Sequence, residues 1–379
     1  MITRFSVILI VLVSLISCVE EFQPQLNESD ELLVVDGKIT NLEGPYTIKL
    51  SRSSGLDIHA IEPVAGASVV IIEENGPAVS LTEIEPGTYQ TKVDGLQGKV
   101  GKSYKLALNI EGIQYETDYE LLKKPTEINS VDARFEYQAS FNSPEDVPGI
   151  QFYVNTDNST FEEDYFLWTL EGTYKYNASL MIYYVYDGSL REFDNHDTLN
   201  TCYISYDIGG IYTARTANLS VPQVLDKPLY FLPATDIRLS VRYSLFTTQY
   251  SISEEAYQFW RQVELQSGGG ESLYTSQPYQ IRGNVKNISD PDEAILGYFT
   301  VAGVSQNRIF MDQPAEVNIL LEDCVPDPMA LIEIFDSKPE DWPIYLPGGE
   351  GVSLGLVNPD CVDCQKSGGT IKKPSFWVD

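Results

Sequence analysis

Four cysteines, Cys202, Cys324, Cys361 and Cys364, are the side chains of this 379-residue chain best suited to do chemistry. Cys361-Val362-Asp363-Cys364 has the two-residue spacing of half a four-thiolate zinc site or of a redox dithiol. A zinc ribbon calls for a second close pair, and Cys202 and Cys324 stand far apart in sequence. A thioredoxin-like dithiol opens a helix, and Gln365-Lys366-Ser367-Gly368-Gly369 carries no helical pattern. In an oxidising compartment four cysteines make up to two disulfides, with three possible connectivities, and that is the expectation here. Cys324, the nearest in sequence to the Cys361/Cys364 pair, is the better candidate partner for it.

Other constellations fail on context. Gly351-Val352-Ser353-Leu354-Gly355 spells a nucleophile elbow, but an elbow joins a strand to a helix and its histidine follows the serine. The two histidines, His59 and His196, both precede it. His196 within Asp194-Asn195-His196-Asp197 reads as a solvated polar loop rather than a metal site. Asn155-Thr156-Asp157-Asn158 with Glu162, Glu163 and Asp164 is rich in oxygen ligands but lacks the regular spacing of a calcium loop. No catalytic residue, metal ligand or cofactor-binding residue is assigned. The tyrosines are the remaining recognition candidates. Tyr183, Tyr184 and Tyr186 lie on one expected strand and Tyr203, Tyr206 and Tyr212 on its expected neighbours, where cross-strand core packing is the simpler role.

The amino terminus is an address. Arg4 precedes an apolar run, Phe5 to Ile16, that is too short to cross a bilayer and ends at the small residue Ser17. Residues 1–17 therefore read as a secretory signal. A cysteine directly after the small residue resembles the lipidation site of bacterial lipoproteins, which implies that Cys18 becomes the first mature residue and carries the lipid. The alternative is an ordinary secreted protein that loses Cys18 with its signal. The covalent lipid is the one non-protein group expected.

A formal charge of −30 argues against nucleic-acid binding, which needs a cationic surface. It argues equally against basic-patch adhesion to anionic lipid. The 24 tyrosines and 15 phenylalanines supply ample core, and no later apolar run reaches the ~20 residues of a spanning helix.

The positioning elements are mostly strands. Residues 18–31 are an acidic tether. From 32 to 122, period-two alternation such as Tyr104, Leu106, Leu108 and Ile110, with turn signals about every ten residues, predicts an immunoglobulin-like or transthyretin-like β-sandwich. Asp36-Gly37 is read as a turn or bulge. Pro63 to Val69 and Glu85-Pro86-Gly87-Thr88-Tyr89 resemble phrases of carboxypeptidase-regulatory-like and transthyretin-like sandwiches, which implies a spacer or docking module. Lys123-Lys124-Pro125-Thr126 closes this unit, and residues 123–379 are expected to form a larger β-rich domain with a cysteine-stapled tail. Phe152 and Val154, Phe166 to Leu170, Leu180 to Tyr186, Ile237-Leu239-Val241-Tyr243 and Ile295 to Val304 are its clearest strands. One helix, about 253–267, is predicted from a capping box at Ser251 and Glu254 and from the stripe Ala256, Phe259, Trp260 and Val263, with Gly268-Gly269-Gly270 ending it.

Several phrases in order carry a wider resemblance: Tyr250 to Trp260, Gln280-Ile281-Arg282-Gly283-Asn284-Val285, Ile295-Leu296-Gly297-Tyr298-Phe299, and the closing Cys361 to Trp377. Together they resemble Bacteroidota outer-membrane lipoproteins carrying domain of unknown function 4249. The resemblance implies an outer-membrane, surface-exposed lipoprotein working beside a TonB-dependent receptor, and it carries over no catalytic residue. Glu20-Glu21 after Cys18 resemble the surface-export signal of that phylum.

The expectation is a non-enzymatic accessory or binding component in nutrient uptake, its partners being the outer membrane, through the lipid, and a TonB-dependent receptor. The alternatives are a solute-binding lipoprotein for a glycan or peptide, signalled by an aromatic groove, and a carboxylate-based hydrolase, signalled by two facing buried acids.

Overall fold

A computed structural model describes residues 31–53, 62–139, 145–157, 164–217, 219, 221–267, 280–317, 319 and 324–379. Among the described residues the protein is mostly β with one α-helix. Its first strands are β1 (Leu33–Thr40), β2 (Thr47–Arg52), β3 (Glu62–Pro63), β4 (Ser68–Glu73) and β5 (Ala78–Ser80). They are followed by β6 (Thr82–Glu85), β7 (Thr88–Gln90), β8 (Ser103–Ile110), β9 (Ile113–Glu116) and β10 (Glu120–Leu121). One sheet runs β1-β2-β7-β6, and another places β4 and β9 on either side of β8. In β8 every second residue is buried, as the pleat of a half-covered strand requires. Leu33, Val35, Ile48 and Leu50 of the first sheet meet Val69, Ile71, Leu106 and Leu108 of the second in one apolar cluster.

Asp36-Gly37 is not a turn. β1 runs straight through it, and Gly37 is there for closeness: a Cβ would lie 2.2 Å from Cδ1 of Ile48, its register partner.

The next strands are β11 (Ile128–Gln138), β12 (Val147–Asp157), β13 (Tyr165–Asn177), β14 (Ile182–Tyr186), β15 (Leu190–Glu192) and β16 (Thr201–Arg215). After β17 (Gln223–Pro233) and β18 (Arg242–Ile252) comes the helix α1 (Glu254–Ser267), then β19 (Lys286–Asn287), β20 (Leu296–Asp312) and β21 (Ile344–Pro347). The order β16-β13-β18-β20-β1 joins this half to the first in a single sheet. β20 makes the join. Its first half lies parallel to β1, Val34 opposite Leu296 to Thr40 opposite Ala302, and its second half lies antiparallel to β18. Val285, Ile295, Phe299 and Val301 therefore pack in the first core, so a cut after residue 122 does not separate two cores.

The shared sheet is covered on both faces. Phe166, Trp168 and Leu170 of β13 face β12 and its neighbours in a second core, and Tyr165 and Leu167 face α1 in a third. Buried Gln249 makes three hydrogen bonds: Oε1 accepts from Trp168 Nε1 (3.0 Å) and Thr156 Oγ1 (2.6 Å), and Nε2 donates to Thr126 O (2.7 Å).

The helix buries Ala256 and Phe259, as its stripe predicts, but its cap is two residues later than the sequence suggests. Ser251 belongs to β18, and its hydroxyl accepts from Thr126 N. Ser253 caps the helix by accepting from Ala256 N at 3.1 Å. Gly268 to Gly270 lie outside the described residues. Ile237–Leu239 is a 3-10 turn rather than a strand, because Asp236 accepts from Arg238 N and ends the extended run before β18. Among the described residues no helix is long and apolar enough to cross a membrane.

Candidate functional site

The tail beyond β20 folds back as a stapled module, and the two features best suited to recognition lie on it. Both disulfides form, Cys202–Cys364 and Cys324–Cys361, with Cα atoms 5.7 and 5.8 Å apart. The first ties the tail to β16. The second joins two points within the tail, in the pairing favoured for Cys324. Around them Leu180 N donates to Cys361 O, Cys364 N to Leu199 O, and the Tyr176 hydroxyl to Cys364 O. β21 of the tail pairs with β14, and β14 with β15, in a separate small sheet. Tyr183, Tyr184 and Tyr186 lie on β14, whereas Tyr203, Tyr206 and Tyr212 lie on β16 in the large sheet, so the two groups are not neighbours.

A cleft of about 420 Å³ opens where the end of β13, the Ile237 turn and the stapled tail meet. Its lining includes Tyr174, Tyr176, Asn177, Ser179, Thr235 and the Cys324–Cys361 bridge. The rings of Tyr174 and Tyr176 stand 5.6 Å apart. Below them Arg238 forks onto Asp236, Nε to Oδ1 at 2.8 Å and Nη2 to Oδ2 at 2.5 Å. Its Nη1 donates to Tyr206 Oη at 2.8 Å, and Tyr206 meets Tyr243 Oη at 2.8 Å. Burial works against an ionised Asp236, yet the hydrogen bonds and charge of Arg238 hold its carboxyl below the ordinary value. Burial pushes Tyr206 up to about 12, so its proton stays. This cation is spent on its own carboxylate.

On the other side of the Cys324–Cys361 bridge a smaller cavity of about 260 Å³ touches Val325 and Ala330. There the 3-10 helix Ala330–Asp336 follows two prolines. Residues three apart eclipse in such a turn, so Met329, Ile332 and Phe335 share a face. Leu331 and Ile334 pack inward against Tyr186 and Leu346. The outer face is exposed: Met329 is 84% exposed, Ile332 71% and Phe335 59%, the last with its ring edge-on to Tyr186 at 5.6 Å, and Val325 just before the helix is 75% exposed. Asp327, Glu333 and Asp336 flank it, and no basic residue lies between 325 and 336. The three-residue spacing of large apolar side chains in an acid-flanked, proline-rich stretch was a legible sign of this face.

The remaining candidates have structural duties or lie outside the description. Cys18, His59, Asn158, Glu162 and Glu163 lie outside the described residues. His196 stacks on Tyr183 with ring centroids 3.9 Å apart and sets Nδ1 2.7 Å from Ile182 O. Asn155 binds Ser130 and Asp132, and Asp164 accepts from Thr126 Oγ1. Among the described residues no group of three His, Cys, Asp or Glu side chains could hold a metal. Ser353 sits in a loop that runs on to an isolated bridge between Leu356 and Asp327, not into a helix.

A search of the curated proteins returns no match. The profile of a domain of unknown function, DUF4249, matches residues 19–308, ending inside β20 and short of the stapled tail. With that match covering most of its length, the chain belongs to the DUF4249 family.

Proposed function

We propose that this protein is a Bacteroidota outer-membrane lipoprotein, tethered through Cys18 and exposed at the cell surface. It serves there as a non-enzymatic docking partner of a TonB-dependent receptor in nutrient uptake. The observation that carries the reading is the exposed stripe of Met329, Ile332 and Phe335. Three large apolar side chains on one face of a braced turn, with exposed Val325 just before them in the chain, mark a protein contact rather than scattered surface residues. Their acidic flanks select the partner's chemistry: an apolar recess with a lysine- or arginine-bearing rim. The same acids, with a net charge of −30, disfavour an anionic lipid surface as the occupant. Residues 18–31 supply the tether that lets a lipid-held domain reach such a receptor. Two-carboxylate hydrolysis is disfavoured, because the cleft lining contains one acid, Asp360. Purification of the tagged protein from native outer membrane tests the reading: a receptor co-purifies, and repeated recovery alone overturns it.

A further inference from the structure

We infer that the cleft between β13, the Ile237 turn and the stapled tail is a binding site for a neutral, hydroxyl-rich small molecule, the chemistry of a saccharide. The inference goes beyond partner docking, since it concerns a different face of the Cys324–Cys361 bridge and stands or falls separately.

The cavity, at about 420 Å³, falls within the ~300–1,000 Å³ typical of small-molecule sites. Its hydrogen-bonding capacity is largely unspent. Tyr174 Oη, Ser179 Oγ and Thr235 Oγ1 have no hydrogen-bond partner among the described residues, although each lines the cleft. Asn177 uses Oδ1 to accept from Thr201 Oγ1 at 2.9 Å, which leaves its Nδ2 donors for a ligand. Burial raises the pKa of Tyr174, so the phenol keeps its proton and can both donate and accept. These are neutral donors and acceptors, and they match hydroxyl groups rather than a charge. Ala178, Ile237 and the disulfide supply apolar surface for the carbon face of a ring.

The charges point the same way. The lining has no lysine or arginine, and Arg238 below it is committed to Asp236 and Tyr206. An anionic ligand would meet Asp360 and no counter-charge. A cationic ligand would gain only that solvent-exposed carboxylate, and such exposed pairs contribute ~1 kcal/mol or less.

The test uses the full chain in detergent on an immobilised array of neutral oligosaccharides, oligogalacturonates and lysine-rich peptides, with hits titrated calorimetrically. A neutral oligosaccharide should bind saturably. Tyr174→Phe and Asn177→Ala should each weaken it by about 3- to 10-fold, the loss expected for one hydrogen bond, while melting temperature shows both variants folded. The inference is overturned if only uronates or peptides bind, if nothing on the array binds, or if a neutral hit binds both variants as tightly as the parent.

Discussion

Asn284 holds the backbone of Phe299 from both sides: its Nδ2 donates to Phe299 O at 2.9 Å and its Oδ1 accepts from Phe299 N at 2.9 Å. Beside it Gly283 N donates to Ile295 O, and a Cβ on Gly283 would stand 1.9 Å from Gly297 O. The Arg282-Gly283-Asn284 and Leu296-Gly297-Tyr298 phrases thus close the first core around β20. Asn284→Ala should destabilise the protein by about 1–3 kcal/mol, since it strands a backbone donor and acceptor. An unchanged urea midpoint would refute this role.

Glu120 of β10, which accepts from Ser253 at the start of α1, makes the fold pH-sensitive. Burial pushes its carboxyl up to about 7, against the hydrogen bond donated by Ser253, with Glu255 raising it further and Val301 N and Lys123 lowering it. Its Oε2 has no hydrogen-bond partner among the described residues. Because the folded value lies above the unfolded one, the folded state holds the extra proton between about pH 4.5 and 7, and stability from this group falls as pH rises through that window. Glu120→Gln should therefore be more stable than the parent at pH 8, on the order of 2 kcal/mol, and no different near pH 4. Denaturant titrations at both pH values check this, and an equal gap at both would contradict it.

The two bridges should differ in weight. Cys202–Cys364 spans 162 residues and Cys324–Cys361 spans 37. On loop-closure entropy the first stabilises by up to about 5 kcal/mol and the second by about 4. Replacing each pair by serine should lower the melting temperature more for the first. Thiol titration of unfolded, unreduced protein should find none of these four sulfurs free. Four reactive sulfurs would remove the staple altogether.

The last residues form a clasp. Trp377 is buried, with Tyr203 and Phe310 at ring-centroid distances of 5.1 and 5.4 Å. Its neighbour Phe376 and Phe246 each face the Arg308 guanidinium, at 3.6 and 4.3 Å, while that guanidinium pairs with Glu171. Trp377→Ala should cost about 3 kcal/mol and make the tail more sensitive to protease. Retained protease resistance would contradict the clasp.

The faces of individual elements were legible in the sequence. Tyr104 to Ile110 alternates as β8 does, and Ala256, Phe259, Trp260 and Val263 form the inward stripe of α1. Which elements pair was not. Periodicity reports how a strand is covered, not who lies beside it, so the parallel pairing of β1 with β20 left no local trace. Gly37 misled because glycine signals a turn and a close approach alike. The cleft was hidden for a similar reason: Tyr174, Thr235 and Cys361 come from three separated segments that only the folded tail brings together. Ser253 was missed as the cap because Ser251 offered the same chemistry two residues earlier.

The central claim is that the exposed stripe docks a receptor, and Met329→Asp with Ile332→Asp tests it most directly. Both side chains are exposed, so the double variant should fold and melt as the parent does. Affinity purification from native outer membrane, parent against variant at equal expression, is the measurement. The account predicts that a TonB-dependent receptor co-purifies with the parent and is lost from the variant. Equal recovery of the receptor with both proteins, or with neither, would contradict it.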